Sequence, residues 1–183
     1  MMAKCSVFIA TSLDGFIARP NGSLDWLNAA NATMPSGEDC GYAAFMATVD
    51  TLVMGRKTFE QVLTFREWPY GSMPVVVMSH HTVQLPPNTP QTVTISRETP
   101  ADLVSRLSTQ GHKHLYIDGG LTIQSFLAEH LIDELTITVI PILLGTGKPL
   151  FGPLSSDVHL SHLATHVYAF GFVQHKYRVP KDA

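Results

Sequence analysis

A chain of 183 residues and 20.0 kDa, 45% hydrophobic and only 15% charged, has the composition of one folded domain with a sizeable core, which excludes a disordered or low-complexity protein. Its formal charge of −3 offers no basic field to nucleic acid or an acidic membrane surface, and no apolar run reaches the roughly 18 residues of a membrane span. Cys5 and Cys40 lack metal-ligand spacing and make no disulfide framework, so the expectation is a reducing, cytoplasmic setting with small molecules or a second copy as partners.

Residues 4 to 10 read as a first strand, apolar enough to be buried on both faces and too short for a signal-peptide core. Asp14-Gly15 signals a turn, Ile17 and Ala18 return briefly to apolar character, and Pro20-Asn21-Gly22-Ser23 turns again, so a loop folds back over the end of that strand. Trp26 beside Leu27 reads as a core anchor, with a ligand platform as the alternative. Residues 28 to 37 are loop-like. Ser36 is the expected cap of a helix carrying Tyr42, Ala43, Phe45, Met46 and Val49 on one apolar face. Glu38 and Asp39 in its first turn either complement the helix dipole or present a carboxylate to a pocket.

The apolar run Thr51-Leu52-Val53-Met54 breaks at Gly55 and restarts as Arg56-Lys57-Thr58-Phe59-Glu60, the pattern of a strand delivering a helix start. Unpaired first-turn amides together with two cations and a hydroxyl would suit a phosphate, although an ordinary strand-to-helix turn has the same look. That helix is expected from 56 to about 65, ending before Trp68-Pro69-Tyr70-Gly71-Ser72. The valine run 75 to 77 is a buried strand whose polar end arrives as Ser79, His80 and His81, where an open sheet lines its ligand crevice. His80 and His81 point to opposite faces of extended backbone with no third ligand at a matching spacing, so no metal site is expected.

Residues 92 to 95 make a short strand. Thr99 as cap, Pro100 in the first helical position and Asp102 in the first turn then open a helix to about Thr109, stopped by Gly111. Residues 114 to 117 form another buried strand and run into Asp118-Gly119-Gly120-Leu121-Thr122-Ile123, a second glycine turn with the logic of residues 53 to 59. Two such turns in one sheet could hold the two ends of a dinucleotide. The last third alternates: 133 to 140, 158 to 160, 166 to 170 and 173 to 179 read as strands, the last two joined through Gly171 as a hairpin. His159, His162 and His166 read as exposed strand residues. The whole is one α/β domain over residues 1 to 183, a mixed sheet with β/α units first and antiparallel strands last.

Four stretches together, Ser12 to Ala18, Val53 to Phe59, Asp118-Gly119-Gly120 and Pro141 to Phe151, resemble the dihydrofolate reductase superfamily, most closely the branch holding the riboflavin-biosynthesis reductase domain. The resemblance implies an eight-stranded, mostly parallel mixed sheet with flanking helices and a C-terminal antiparallel hairpin, NADPH as hydride donor, and a homodimer. It places Ala10 and Ile17 on the nicotinamide, Gly55, Arg56, Lys57 and Thr58 on phosphate, Ser79, His80 and Arg97 at the adenosine 2′-phosphate, and Gly119, Gly120, Leu121, Thr122 and Ile123 along the pyrophosphate and nicotinamide. Leu121 stands where dihydrofolate reductases often keep a cation. Asp39 falls at the position of the pterin-gripping carboxylate, which makes it the expected catalytic and substrate-binding residue with Thr138 as partner. The implied reaction is NADPH-dependent reduction of a pyrimidine or pterin-like heterocycle, as in 5-amino-6-(5-phosphoribosylamino)uracil reductase. The alternatives are a dihydrofolate reductase or a nucleotide-binding protein without chemistry.

Overall fold

The computed structural model describes residues 1–181 and runs β1 (Lys4–Ser12), β2 (Phe16–Ala18), α1 (Asp25–Asn31), α2 (Tyr42–Met46), β3 (Thr51–Gly55), α3 (Arg56–Val62), β4 (Val75–Met78), β5 (Val93–Ser96), α4 (Pro100–Thr109), β6 (His114–Asp118), α5 (Gly120–Ala128), β7 (Glu134–Ile140), β8 (Lys148–Pro149), β9 (Ser161–Val167) and β10 (Val173–Arg178). Eight strands form one sheet in the order β5-β4-β3-β6-β1-β7-β10-β9, while β2 and β8 pair as a separate ribbon. Neighbours from β5 to β7 are parallel, and β10 is antiparallel to both β7 and β9, so the predicted mixed sheet with its C-terminal hairpin is present. Parallel strands joined through helices have both faces covered, which is why β1, β3, β4 and β6 read as nearly unbroken apolar runs.

Alternation divides those runs between two cores. Cys5, Val7, Val53, Leu115 and Ile117 face α4 and α5, where Leu103, Leu107, Ile123 and Phe126 close over them. Leu52, Met54, Val75, Val77 and Tyr116 face the other way, under Phe59 and Val62 of α3. Trp26 anchors a smaller cluster with Cys40, Ile140 and Phe172 and is 3% exposed, so it is a core residue. Both cysteines are free and buried. No helix among the described residues is long and apolar enough to cross a membrane.

The start of α4 matches its sequence signature: Thr99 Oγ1 accepts from Asp102 N–H at 3.2 Å and Pro100 takes the first helical position. Other expectations need correction. Residues 25–31, placed largely in a loop, form α1, which Arg19 ties down by a two-pronged contact to Asp25 at 2.6 and 3.0 Å. The helix expected to follow Ser36 and to carry residues as far as Val49 shrinks to Tyr42–Met46, because Gly41 at φ +82° breaks the backbone just before it and Ser36 lies outside it. The helix after Gly55 stops at Val62, and β4 stops at Met78, short of the histidines. Residues 158–160 are not a strand; the edge strand is 161–167, exposed along its whole length, so burial left no alternation there to read.

Candidate active site

Every strand from β5 to β7 ends at the same edge of the sheet, and the loops leaving that edge carry most of the singled-out residues. Gly55 closes β3 and Gly119 follows β6 directly beside it, since Met54 pairs with Asp118. The two turns interlock. A Cβ on Gly55 would meet Thr122 Oγ1 at 2.7 Å, and a Cβ on Gly119 would collide with Thr58 Oγ1. Gly119 also sits at φ +93°, a conformation L side chains avoid. Neither α3 nor α5 has a side-chain cap, so both first turns leave amide donors at this edge. Gly55 and Thr122, and Gly119 and Thr58, are thereby brought together, whereas Ile123 is fully buried in the core beneath α5 and Leu121 is 78% exposed. Arg56 and Lys57 lie at the same place but both reach back to Glu60, at 2.8 and 3.8 Å.

Over Gly120 lies the lid. A Cβ there would meet Ile17 Cδ1 at 2.9 Å and Pro149 O at 3.2 Å, so β2 and β8 close directly on the start of α5. One side chain holds the two loops together: Asp14 Oδ1 accepts from Ser12 Oγ at 2.6 Å and Leu144 N–H at 3.1 Å, and Asp14 Oδ2 from Gly145 N–H at 2.7 Å. The Ser12 hydroxyl first, then the two amides, hold the Asp14 carboxyl below its usual range although burial opposes them.

The outer end of this edge carries Ser79, His80 and Arg97. Ser79 N–H donates to Ser96 O at 2.9 Å, which sets the ends of β4 and β5 side by side. Its hydroxyl is engaged locally with His81, donating to the carbonyl at 2.9 Å and accepting from the N–H at 3.1 Å. His80 and Arg97 are exposed next to it.

Asp39 does not reach the crevice. Its carboxylate accepts from Gly41 N–H at 2.9 Å and Ala43 N–H at 2.8 Å, closing the turn into α2, and the residue is exposed. The Ala43 amide first and the Gly41 amide second hold its pKa below the usual carboxylate range, opposite to the rise expected of a buried proton donor. Thr138 is buried on β7 opposite Ala10. Its hydroxyl accepts from Gln174 Nε2 at 2.9 Å, and the same amide group donates to Cys40 O at 2.9 Å, so Thr138 and Asp39 are two steps apart rather than partners.

A different carboxylate occupies the crevice. Asp118 ends β6 on the face shared by Tyr116 and Met54, and Asp118 Oδ1 accepts from Gly119 N–H at 2.9 Å. Burial pushes its carboxyl up to about 6, with the Gly119 amide pulling the other way, although part of the residue reaches the surface. The sequence signal was an aspartate closing the apolar strand His114-Leu115-Tyr116-Ile117, but the burial that makes it unusual is a property of the fold and left no local trace. Among the described residues no group of acidic, histidine and cysteine side chains could hold a metal ion.

Residues 3–173 match the family model described as the RibD C-terminal domain. The uncharacterized protein YwjB of Bacillus subtilis is 37% identical over 165 residues, covering 87% of this chain and 89% of that protein. A crystal structure from Shewanella sp. PV-4, provisionally assigned to riboflavin biosynthesis, superposes with a TM-score of 0.90 at 43% identity, covering 99% of this chain and all of that one (100%). Acinetobacter baumannii RibD shares the fold at a TM-score of 0.74 and 19% identity over 98% of this chain and 59% of that one.

Proposed function

Because the chain belongs to the RibD C-terminal domain family, a family of reductase-like domains with the dihydrofolate reductase fold, we propose that it is an NADPH-dependent oxidoreductase that reduces a pyrimidine or pterin-like heterocycle. The observation that carries this reading is the pair of interlocked glycine turns at the strand ends, with Asp118, its carboxyl raised by burial, closing β6 immediately before Gly119. The residues fit a dinucleotide: two helix starts without side-chain caps leave amide donors at this edge, and the absent side chains at Gly119 and Gly120 let Thr58, Ile17 and Pro149 pack directly against the turn. Arg56, Lys57 and Thr58 would hold phosphate, and Ser79, His80 and Arg97 would meet the adenosine end. Ala10, Ile17 and Gly120 would flank the nicotinamide. When bound, NADPH supplies the hydride.

The chain's own residues do the rest. The Asp14 clamp keeps the β1–β2 and β7–β8 loops together over Gly120 and excludes water from the reacting face. Asp118, its carboxyl pushed up to about 6 by burial, holds a proton in part of the population near neutral pH and gives it up when the substrate accepts hydride. A dihydrofolate reductase reading rested on an inward Asp39, and its capping role withdraws that support. We also infer a homodimer through β9, whose seven residues are exposed and include Leu163 and Val167, an uncovered edge that a second copy would shield.

The test is NADPH oxidation by the purified chain, followed by loss of absorbance, against dihydrofolate and against 5-amino-6-(5-phosphoribosylamino)uracil with related free pyrimidines and pterins. Turnover with any of the heterocycles supports the proposal. Absence of NADPH binding sinks it.

A further inference from the structure

The lid over Gly120 is a unit tied chiefly to itself. Phe16 pairs with Pro149 and Ala18 with Lys148, Leu150 N–H donates to Gly15 O at 3.0 Å, and Asp14 fastens the amides of Leu144 and Gly145. All of these bonds join the β1–β2 loop to the stretch around β8, and none of them reaches α5, whose start carries the second glycine turn. Two side chains seat the unit there. Leu150 is 1% exposed and packs into the same core as Ile123 and Phe126 of α5. Gln124 stands four residues beyond Gly120, on the same face of α5 and one turn along it.

The Gln124 amide nitrogen donates to Pro149 O and to Leu150 O, each at 3.2 Å, and these are the only hydrogen bonds between α5 and residues 147–152 among the described residues. Carbonyl oxygens can only accept, so the nitrogen is the atom turned to them and Oε1 lies on the other side. There a Cβ on Gly152 would meet Gln124 Oε1 at 2.5 Å and Cδ at 2.9 Å, so the chain crosses the amide at a point where any side chain would push it aside. Pro149 O has a second neighbour: it lies 3.2 Å from where a Cβ on Gly120 would stand. The bond from Gln124 therefore fixes the height of the lid over the glycine turn.

We propose that Gln124 is a positioning residue that latches the lid onto α5 and sets how long a dinucleotide stays bound beneath it. The retention role rests on the reductase reading, whereas the latch rests on the contacts of Gln124 alone. Without the amide, Leu150 still anchors the segment in the core, but the carbonyls of Pro149 and Leu150 turn to water and the unit opens more often over Gly120. A lid that opens more often shortens the stay of what it covers, so the dissociation rate carries the effect.

The test uses the full chain and two variants that break the latch from opposite sides. Gln124→Met keeps the length of the side chain and removes the donor; Gly152→Ala keeps the donor and displaces it. Hydrogen exchange read by mass spectrometry, with no ligand present, should be about tenfold faster in peptides covering β2 and residues 148–152 and unchanged in β3, β4 and β6. Stopped-flow displacement should show NADPH leaving roughly 3- to 10-fold faster while its association rate stays within about twofold. Adding Gly152→Ala to Gln124→Ala should move neither readout further, because the vacated space admits the new methyl group. Lid exchange that is unchanged in both single variants overturns the latch, and so does exchange that rises equally in the core strands, the mark of a general loss of stability. Faster lid exchange with an unchanged NADPH dissociation rate overturns the retention role. A parent chain that binds no NADPH, with a lid that still loosens in both variants, sustains the latch and overturns the reductase reading.

Discussion

Gly119 sits against Thr58 so closely that a methyl group on its α-carbon would occupy the place of the threonine Oγ1, while its φ of +93° already excludes an ordinary L residue. Gly119→Ala is expected to destabilise the fold by about 1–3 kcal/mol, the scale of overpacking combined with a strained backbone. Thr58→Ala in the same chain should restore the part owed to the collision and leave the part owed to φ. Thermal unfolding of the single and double variants measures both, and an additive pair would refute the contact.

Glu60 competes with any phosphate for the cations at the start of α3, since Arg56 reaches it at 2.8 Å and Lys57 at 3.8 Å. Removing the phosphate-facing groups in Arg56→Ala with Thr58→Ala should weaken NADPH by about 1–3 kcal/mol per charged hydrogen bond lost. Glu60→Gln should do the reverse and tighten it several-fold. Fluorescence titration with NADPH checks both, and unchanged affinity in the double alanine variant rules out this phosphate site.

Asp118 ties pH to stability and to turnover. Its carboxyl stands at about 6 in the fold against an ordinary 3.8, so between those values the folded chain keeps a proton that the unfolded chain has shed. Stability should therefore fall as pH rises from about 4 to 6, by up to roughly 3 kcal/mol before relaxation reduces it. Asp118→Asn should abolish that slope, stabilise the chain at pH 7 and cut turnover by about 10²-fold or more. Denaturant unfolding across pH, paired with NADPH oxidation, tests the trade: a variant with full activity removes Asp118 from proton transfer.

Asp39 has the opposite sign. Its pKa is lowered in the fold, so the stability it contributes is present above the ordinary carboxylate value and disappears as pH falls through the lowered one. Asp39→Asn should lower Tm slightly at neutral pH, less in acid, and leave turnover unchanged. A large loss of turnover with NADPH binding intact would return Asp39 to the site.

The β9 edge supplies a solution test. Leu163→Glu or Val167→Lys places charge on an exposed strand residue that makes no core contact, so neither should disturb the fold. Light scattering should show a dimer for the parent chain and a monomer for the double variant. A monomeric parent refutes the interface.

What could be read from the sequence was whatever its own neighbours stabilise. Thr99, Pro100 and Asp102 cap α4 from within four residues, and the glycine turns after β3 and β6 announce themselves locally. The ribbon of β2 and β8 joins segments more than a hundred residues apart, and α1 depends on Arg19 and on burying Trp26, so neither leaves a periodic trace. Asp39 looked catalytic by position, but the αL bend at Gly41 turned it into a cap. Asp118 was visible as a letter; its unusual proton affinity comes from its burial in the fold, which no neighbour in sequence announces.

The placement of β1 also bears on how the molecule is made. This strand, the first of the fold, lies between β6 and β7: Lys4 pairs with His114 and Ser6 with Glu134. Both partners follow β1 by more than a hundred residues, so Val7, Phe8 and Ile9 stay an unpaired apolar stretch until β6 and β7 have been made. Loop closure over that span must precede any reward from pairing, and slow refolding is the expected consequence. A circular permutant that opens the chain after Gly111 and joins the old termini would bring β6, β7 and β1 close in sequence, and it should refold faster and aggregate less than the parent at equal stability.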